Sequence, residues 1–232
     1  MLDITWFIYY LYVSKLKIIH GMRTRYKYKK LKLAWLKSLL LIVLSLPTSG
    51  VSASQFTELL NHLSQGGYVI YIRHAATRHD DADHENLKLD DCSTQRNLTG
   101  EGKDYAQRLR TFFETLSIPY AQVISSPFCR TRDTAQLAFD NVIVQDFLFF
   151  SAGLNQQDRS RLSQKLRGYL NTKPPSGRNN IVVGHTSNLL EAVGRWPEVE
   201  GEMHIFLPQG GVMPRHIGTI KPDQINRWFV SR

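Results

Sequence analysis

Two short runs of β-branched and aromatic residues, Tyr68-Val69-Ile70-Tyr71-Ile72-Arg73 and Ile181-Val182-Val183-Gly184, are each followed at once by a histidine, His74 and His185. Such a run reads as a buried strand, and open α/β sheets collect their chemistry at the carboxyl ends of their strands. Two strand ends of this kind could bring two imidazoles into one crevice. The rest of the chain has to build a sheet that holds both.

The pattern around the two runs is one of alternation. A helix is expected over residues 55–64, with Phe56, Leu59, Leu60 and Leu63 on one face and Gly66-Gly67 as its stop. The first strand takes residues 68–73. Residues 75–97 lack periodicity and are rich in Asp, Asn and His, so they read as a long loop, more often functional than idle in a compact domain. A helix opening at Thr99 carries Ala106, Leu109, Phe112, Phe113 and Leu116. Strands at 123–125 and 142–144 flank a helix at 131–139, and an amphipathic helix at 159–170 leads through Lys173-Pro174-Pro175-Ser176-Gly177 to a strand at 180–183. A helix at 188–193 and strands near 203–207 and 211–220 complete the reading. The alternation predicts an α/β three-layer sandwich with a mostly parallel sheet, and the last two strands form an antiparallel edge.

Charge is distributed unevenly. The 232 residues carry 29 Lys and Arg against 20 Asp and Glu, a formal +9. Residues 1–53 hold nine of the basic residues against Asp3 alone, so the remainder is close to neutral. A nucleic-acid footprint needs its basic stripe on the folded domain, and here the stripe precedes it, so no nucleic-acid partner is expected. Lys and Arg from Arg23 to Lys37, an aliphatic run at 38–46 and a small-residue stretch ending Val51-Ser52-Ala53 have the order of a secretory signal peptide. Synthesis from Met22, cleavage near Ala53 and a mature domain at 54–232 are the expectation. The alternative is a membrane anchor built on the apolar residues 4–14. Either places the domain in the periplasm or otherwise outside the cytoplasm. There two cysteines, Cys92 and Cys129, commonly pair, although two separate buried thiols are an equal reading.

Three strand-end loops carry the polar chemistry: Arg73-His74, Ser126-Pro127-Phe128-Cys129-Arg130-Thr131 and Gly184-His185. Two guanidiniums offer forks of donors, and with two imidazoles they can surround a phosphate. Any one of these residues alone would read as a surface ion pair or a satisfied core histidine.

Taken with Leu98-Thr99 and Gly102, and with Thr134-Ala135, these blocks resemble the histidine phosphatase superfamily, which includes the phosphoglycerate mutases. The resemblance implies a phosphoglycerate mutase-like fold and a phosphomonoesterase, with His74 as the nucleophile and Arg73, Arg130 and His185 as phosphate ligands. It implies no cofactor or metal. Arg-His-Ala75, with Ala where members usually have Gly, resembles an exported subgroup that includes the lipopolysaccharide core heptose phosphatase. The substrate implied is a small phosphate ester, extending to a cell-envelope phosphosugar. Export argues against a mutase, and a phosphohistidine protein phosphatase is the alternative enzyme.

The proton donor departs from the pattern. Members often carry a carboxylate between the third strand and the next helix, and here that stretch reads Phe147-Leu148-Phe149-Phe150-Ser151-Ala152-Gly153. In the implied fold the strand after the second-histidine helix runs back from the active-site end, so Glu200 and Glu202 become the candidate acids, with solvated charges the plain alternative. Asp146, Asp158 and Glu191 are weaker candidates. A chain without any acid could still bind phosphate esters while turning them over slowly. Arg96 is a further candidate ligand. The run His79-Asp80-Asp81-Ala82-Asp83-His84 could be read as a metal site but more simply as solvated loop. Trp196, Trp228, Phe147, Phe149 and Phe150 read as packing residues.

Overall fold

A computed structural model of the protein describes residues 53–211 and 213–231. The expectations for a signal peptide, a start at Met22 and an N-terminal anchor lie outside the described residues. The elements in order are α1 (Ala53–Gln65), β1 (Val69–Arg73), α2 (Gly100–Thr115), β2 (Tyr120–Ser125), α3 (Cys129–Ala138), β3 (Val142–Val144), α4 (Gln156–Leu170), β4 (Asn179–Gly184), α5 (Thr186–Val193), β5 (Met203–Leu207), β6 (Arg215–Ile220) and α6 (Pro222–Val230). Among the described residues no helix is long and apolar enough to cross a membrane.

The six strands form one sheet in the order β3-β2-β4-β1-β5-β6. The first four of these are mutually parallel, whereas β5 pairs antiparallel with β1 and β6 pairs antiparallel with β5. This is the mixed α/β architecture that the alternation predicts. Both faces of β1 are buried: Ile70 and Ile72 pack with Leu63, Leu109, Phe112, Phe113, Ala135 and Ile225, while Val69 and Tyr71 pack with Leu166, Leu170, Leu189 and Ala192. One layer of helices is therefore α1, α2, α3 and α6, and the other is α4 and α5. A continuous apolar run is what a central strand covered on both faces requires.

Element boundaries move where local side chains decide them. Asn155 accepts the Asp158 amide and starts α4 at Gln156, ahead of the expected residue 159. Thr99 caps α2 by accepting the Gly102 amide. Strand β2 reaches back to Tyr120 through a register irregularity, and β6 begins at Arg215, not at residue 211. The sequence reading has no counterpart for α6. Its signals were present: Pro222 in the first turn, and Gln224 accepting the Lys221 amide at 2.8 Å. Trp228 packs edge-on against Phe112, ring centres 5.0 Å apart.

Register aligns the strand ends. Arg73 stands opposite Gly184, and Ser125 opposite Val183, so the loops after β1, β2 and β4 leave the sheet at one level.

Candidate active site

His74 follows β1, its amide donating to the Gly184 carbonyl (3.0 Å), and its ring lies 5.6 Å from that of His185. His74 Nδ1 lies 2.9 Å from the Ala75 carbonyl, which can only accept. Nδ1 therefore carries the proton and Nε2 keeps a free lone pair. The ring is 2% exposed. Burial pushes its pKa well below the ordinary value, and the charges of Arg130, Arg73 and Arg96 add to this against the opposing Ala75 carbonyl. His74 is thus neutral at neutral pH, the form in which an imidazole can act as a nucleophile.

His185 is held from two sides. The Tyr71 hydroxyl donates to its carbonyl (2.7 Å), and Ser126 Oγ meets Nε2 at 2.8 Å. With the serine hydroxyl donating, the proton of the neutral ring falls on Nδ1, which is buried without a partner. Burial lowers this pKa too, followed by the charges of Arg130, His74, Arg96 and Arg73.

The guanidiniums surround this pair. Arg130 is 1% exposed, stacks on Phe128 and Phe150, and donates Nη1 to Asp83 Oδ1 at 2.8 Å. Arg73 donates Nη1 to the carbonyls of Pro197 and Glu198. The Nε of each arginine is buried with no acceptor. Arg73, Arg130 and His185 so present three buried donors around the His74 ring and its free lone pair. Buried donors are ordinarily paired, and this set is complementary to an oxyanion.

The loop over residues 75–97 is anchored at both ends. Thr134 accepts the Ala75 amide, and the Thr99 amide donates to the Ala76 carbonyl. Cys92 and Cys129 are joined by a disulfide, and Gln95 accepts the Cys129 amide at 2.9 Å. Asp83 accepts the Arg96 amide as well as Arg130. The run His79–His84 therefore supplies an arginine partner. Among the described residues no cluster of three His, Cys, Asp or Glu is arranged to hold a metal.

The two candidate acids separate. Glu200 reaches the site: its carboxylate accepts the Thr77 amide (2.8 Å) and hydroxyl (2.7 Å), and lies 3.5 Å from Arg73, 3.9 Å from His74 Nδ1 and 4.0 Å from Arg96. Glu202 turns the other way. Its Oε2 accepts the amides of Glu198 and Val199, and Oε1 faces His204. Of the residues expected at the site, His74, His185, Arg73, Arg130, Arg96 and Glu200 are brought together, and the Glu202 carboxylate is not brought among them. Sequence reasoning gave no site role to Tyr71 and Thr77, read Asp83 as metal ligand or solvated loop, and named Ser126 only as part of its strand-end block. Only Ser126 carried a signal, its place at a strand end. Phe150, read as packing, lies 5.2 Å from the His185 ring and forms part of the site wall.

Residues 69–146 match the model of the histidine phosphatase superfamily (branch 1). Among curated protein sequences none matches this chain significantly. Solved structures that resemble it include a phosphoserine phosphatase mutant from Entamoeba histolytica in complex with phosphoserine, 15% identical with a TM-score of 0.49, covering 68% of this chain and 98% of that one. The protein histidine phosphatase SixA complexed with tungstate is 15% identical, with a TM-score of 0.47, over 68% and 99% of the two chains. A mycobacterial glucosyl-3-phosphoglycerate phosphatase, 12% identical with a TM-score of 0.44, covers 65% and 96%.

Proposed function

We propose that this chain, whose residues 69–146 match the histidine phosphatase superfamily model, hydrolyses phosphomonoesters through a phosphohistidine on His74. The observation that carries the reading is the unpaired Nε2 of His74 beside the three buried, acceptor-less donors of Arg73, Arg130 and His185. In the first step Nε2 attacks phosphorus, the bond to the leaving oxygen breaks, and Glu200 supplies that oxygen with a proton. In the second step water attacks the phosphorus–nitrogen linkage and returns a proton to Glu200, releasing phosphate and His74. Arg73, Arg130, Arg96 and His185 offset the charge on the transferring oxygens, and most of the rate enhancement of a phosphoryl transfer comes from stabilisation of that kind.

A domain exported behind the basic leader at residues 1–53 would meet phosphate esters outside the cytoplasm, with a phosphosugar of the cell envelope as the substrate class. The aromatic wall at Phe150 favours a second reading, a phosphate-ester binder with slow turnover. Turnover of p-nitrophenyl phosphate separates the two. His74→Ala is expected to abolish it, and Glu200→Gln to lower it by about 10² to 10⁴, the range for a general acid. Quenching under neutral conditions followed by mass spectrometry should find phosphate on His74. Tight phosphate binding with no turnover above the His74→Ala background would establish the binder instead.

A further inference from the structure

We infer that His204, acting through Glu202, is a positioning residue for Glu200. This rests on the reading of Glu200 as the proton-transferring group. Glu200 reaches the site on the turn between α5 and β5, and that turn is gripped from two sides. On the site side, the Gly201 amide lies 3.2 Å from the Arg73 carbonyl and 2.9 Å from that of His74, while Arg73 Nη1 donates to the carbonyls of Pro197 and Glu198. Gly201 has φ +85°, and a Cβ there would stand 2.5 Å from the Tyr105 ring, so the bend tolerates no other residue without strain.

The other side is the Glu202 carboxylate, 3% exposed. One oxygen holds the amides of Glu198 (2.7 Å) and Val199 (3.1 Å), the residues that lead into Glu200. The second oxygen has His204 Nε2 at 3.4 Å, an ion-pair contact longer than a good hydrogen bond. His204 Nδ1 meets His216 Nε2 at 3.3 Å and Thr219 Oγ1 at 3.4 Å, and Thr219 Oγ1 also lies 3.3 Å from His216 Nε2. A row therefore runs from β6 through His204 and Glu202 to the two amides. Glu202, His204 and His216 line a cleft of about 300 Å³ together with Arg195, Trp196, Thr219 and Lys221. Burial alone would raise the Glu202 pKa, but the nearby His204 ring and the two amides outweigh it and keep the acid below the usual range, although His204 Nε2 itself makes no hydrogen bond. A buried carboxylate with one oxygen so committed stays in place only while the other has a partner. The side-chain partners of His204 are Glu202, His216 and Thr219 rather than the groups around His74, so its influence passes through the turn.

The test pairs His204→Ala with the same change in a Glu200→Gln background, reading kcat and KM for p-nitrophenyl phosphate and the hydrogen exchange of the Glu198 and Val199 amides. His204→Ala should lower kcat by about tenfold, as loss of a supporting partner commonly does, with KM nearly unchanged. It should cost nothing further once Glu200 is Gln, and both amides should exchange faster. His204→Gln, which keeps a donor toward Glu202, should recover most of the loss and stands in if the alanine variant does not fold. An equal loss in both backgrounds, or unchanged protection of the two amides, overturns the inference. A wild-type protein that never turns over ester sinks the proposed function instead, and the amide exchange then decides the positioning role alone.

Discussion

At Gly184 packing and chemistry meet in a single residue. A Cβ there would lie 2.2 Å from the Tyr71 hydroxyl, the group that donates to the His185 carbonyl. Gly184→Ala should therefore lower stability by about 1–3 kcal/mol, the usual cost of overpacking, and weaken turnover by displacing His185. A thermal melt checks it, and adding Tyr71→Phe should recover part of the loss by removing the clashing oxygen. Ser126 acts on the other end of the same imidazole. Ser126→Ala strands a buried ring nitrogen, at about 1–3 kcal/mol, and frees the tautomer that leaves Nδ1 as a donor. The expected signature is a lower affinity for inorganic phosphate, measured by calorimetry, with the fold retained. Unchanged affinity would show that His185 needs no orienting partner.

Among the elements, the loop over residues 75–97 is the one most dependent on tertiary ties. It has little regular structure beyond one turn of 3-10 helix at Cys92–Thr94, yet it places Asp83 against Arg130 and brings Arg96 to Glu200. The disulfide spans 37 positions, and closing a loop of that size stabilises by about 3–4 kcal/mol in the chain-entropy picture. Replacing both cysteines by serine should lower the unfolding free energy from urea melts by a matching amount. Because Arg130 and Arg96 lose their common anchor at Asp83, KM should rise more than kcat falls. A loss of stability with unchanged KM would mean that the loop keeps its place through Gln95 and Thr134 alone. Helix α6 teaches a related lesson: its proline and glutamine cap were readable, and its apolar face makes sense only against Phe112.

At the scale of the whole molecule, buried neutral histidines set the response to acid. His74 and His185 are held well below their ordinary pKa, and His216 is pushed down to about 4, first by burial and then by neighbouring positive charge. The unfolded chain takes up protons below about pH 6.5 that the folded one refuses, so these groups cost nothing above that pH and destabilise below it. Each adds a slope of at most about 1.4 kcal/mol per pH unit until its folded pKa is reached. Glu202, with its folded pKa depressed, adds a further loss only below the ordinary glutamate range. Urea melts should therefore agree between pH 8 and 7 as far as these groups are concerned and fall steeply from pH 6 to 4. Inorganic phosphate should flatten that fall, because an anion beside His74 and His185 favours their protonated forms. A phosphate-independent slope would argue against an anion site between them.

Much of this was legible in the amino-acid order. Apolar runs buried on both faces mark central strands wherever they fall, so β1, β4 and the mixed sheet followed from periodicity. Histidines and arginines at strand ends share one side of any parallel sheet, so the grouping of His74, His185, Arg73 and Arg130 could be read before any coordinates. What the order of residues left open were relations between distant segments of equal local character. Glu200 and Glu202 sit two residues apart on the turn that leads into β5, and nothing in their sequence tells them apart. The sharp turn at Gly201 aims one at the arginines and the other at its own loop amides and His204. The pairing of Cys92 with Cys129, the use of Asp83 on Arg130 and the hold of Tyr71 on His185 are of the same kind. Each depends on a distance across the fold, and distances of that sort exist only once the layers have packed.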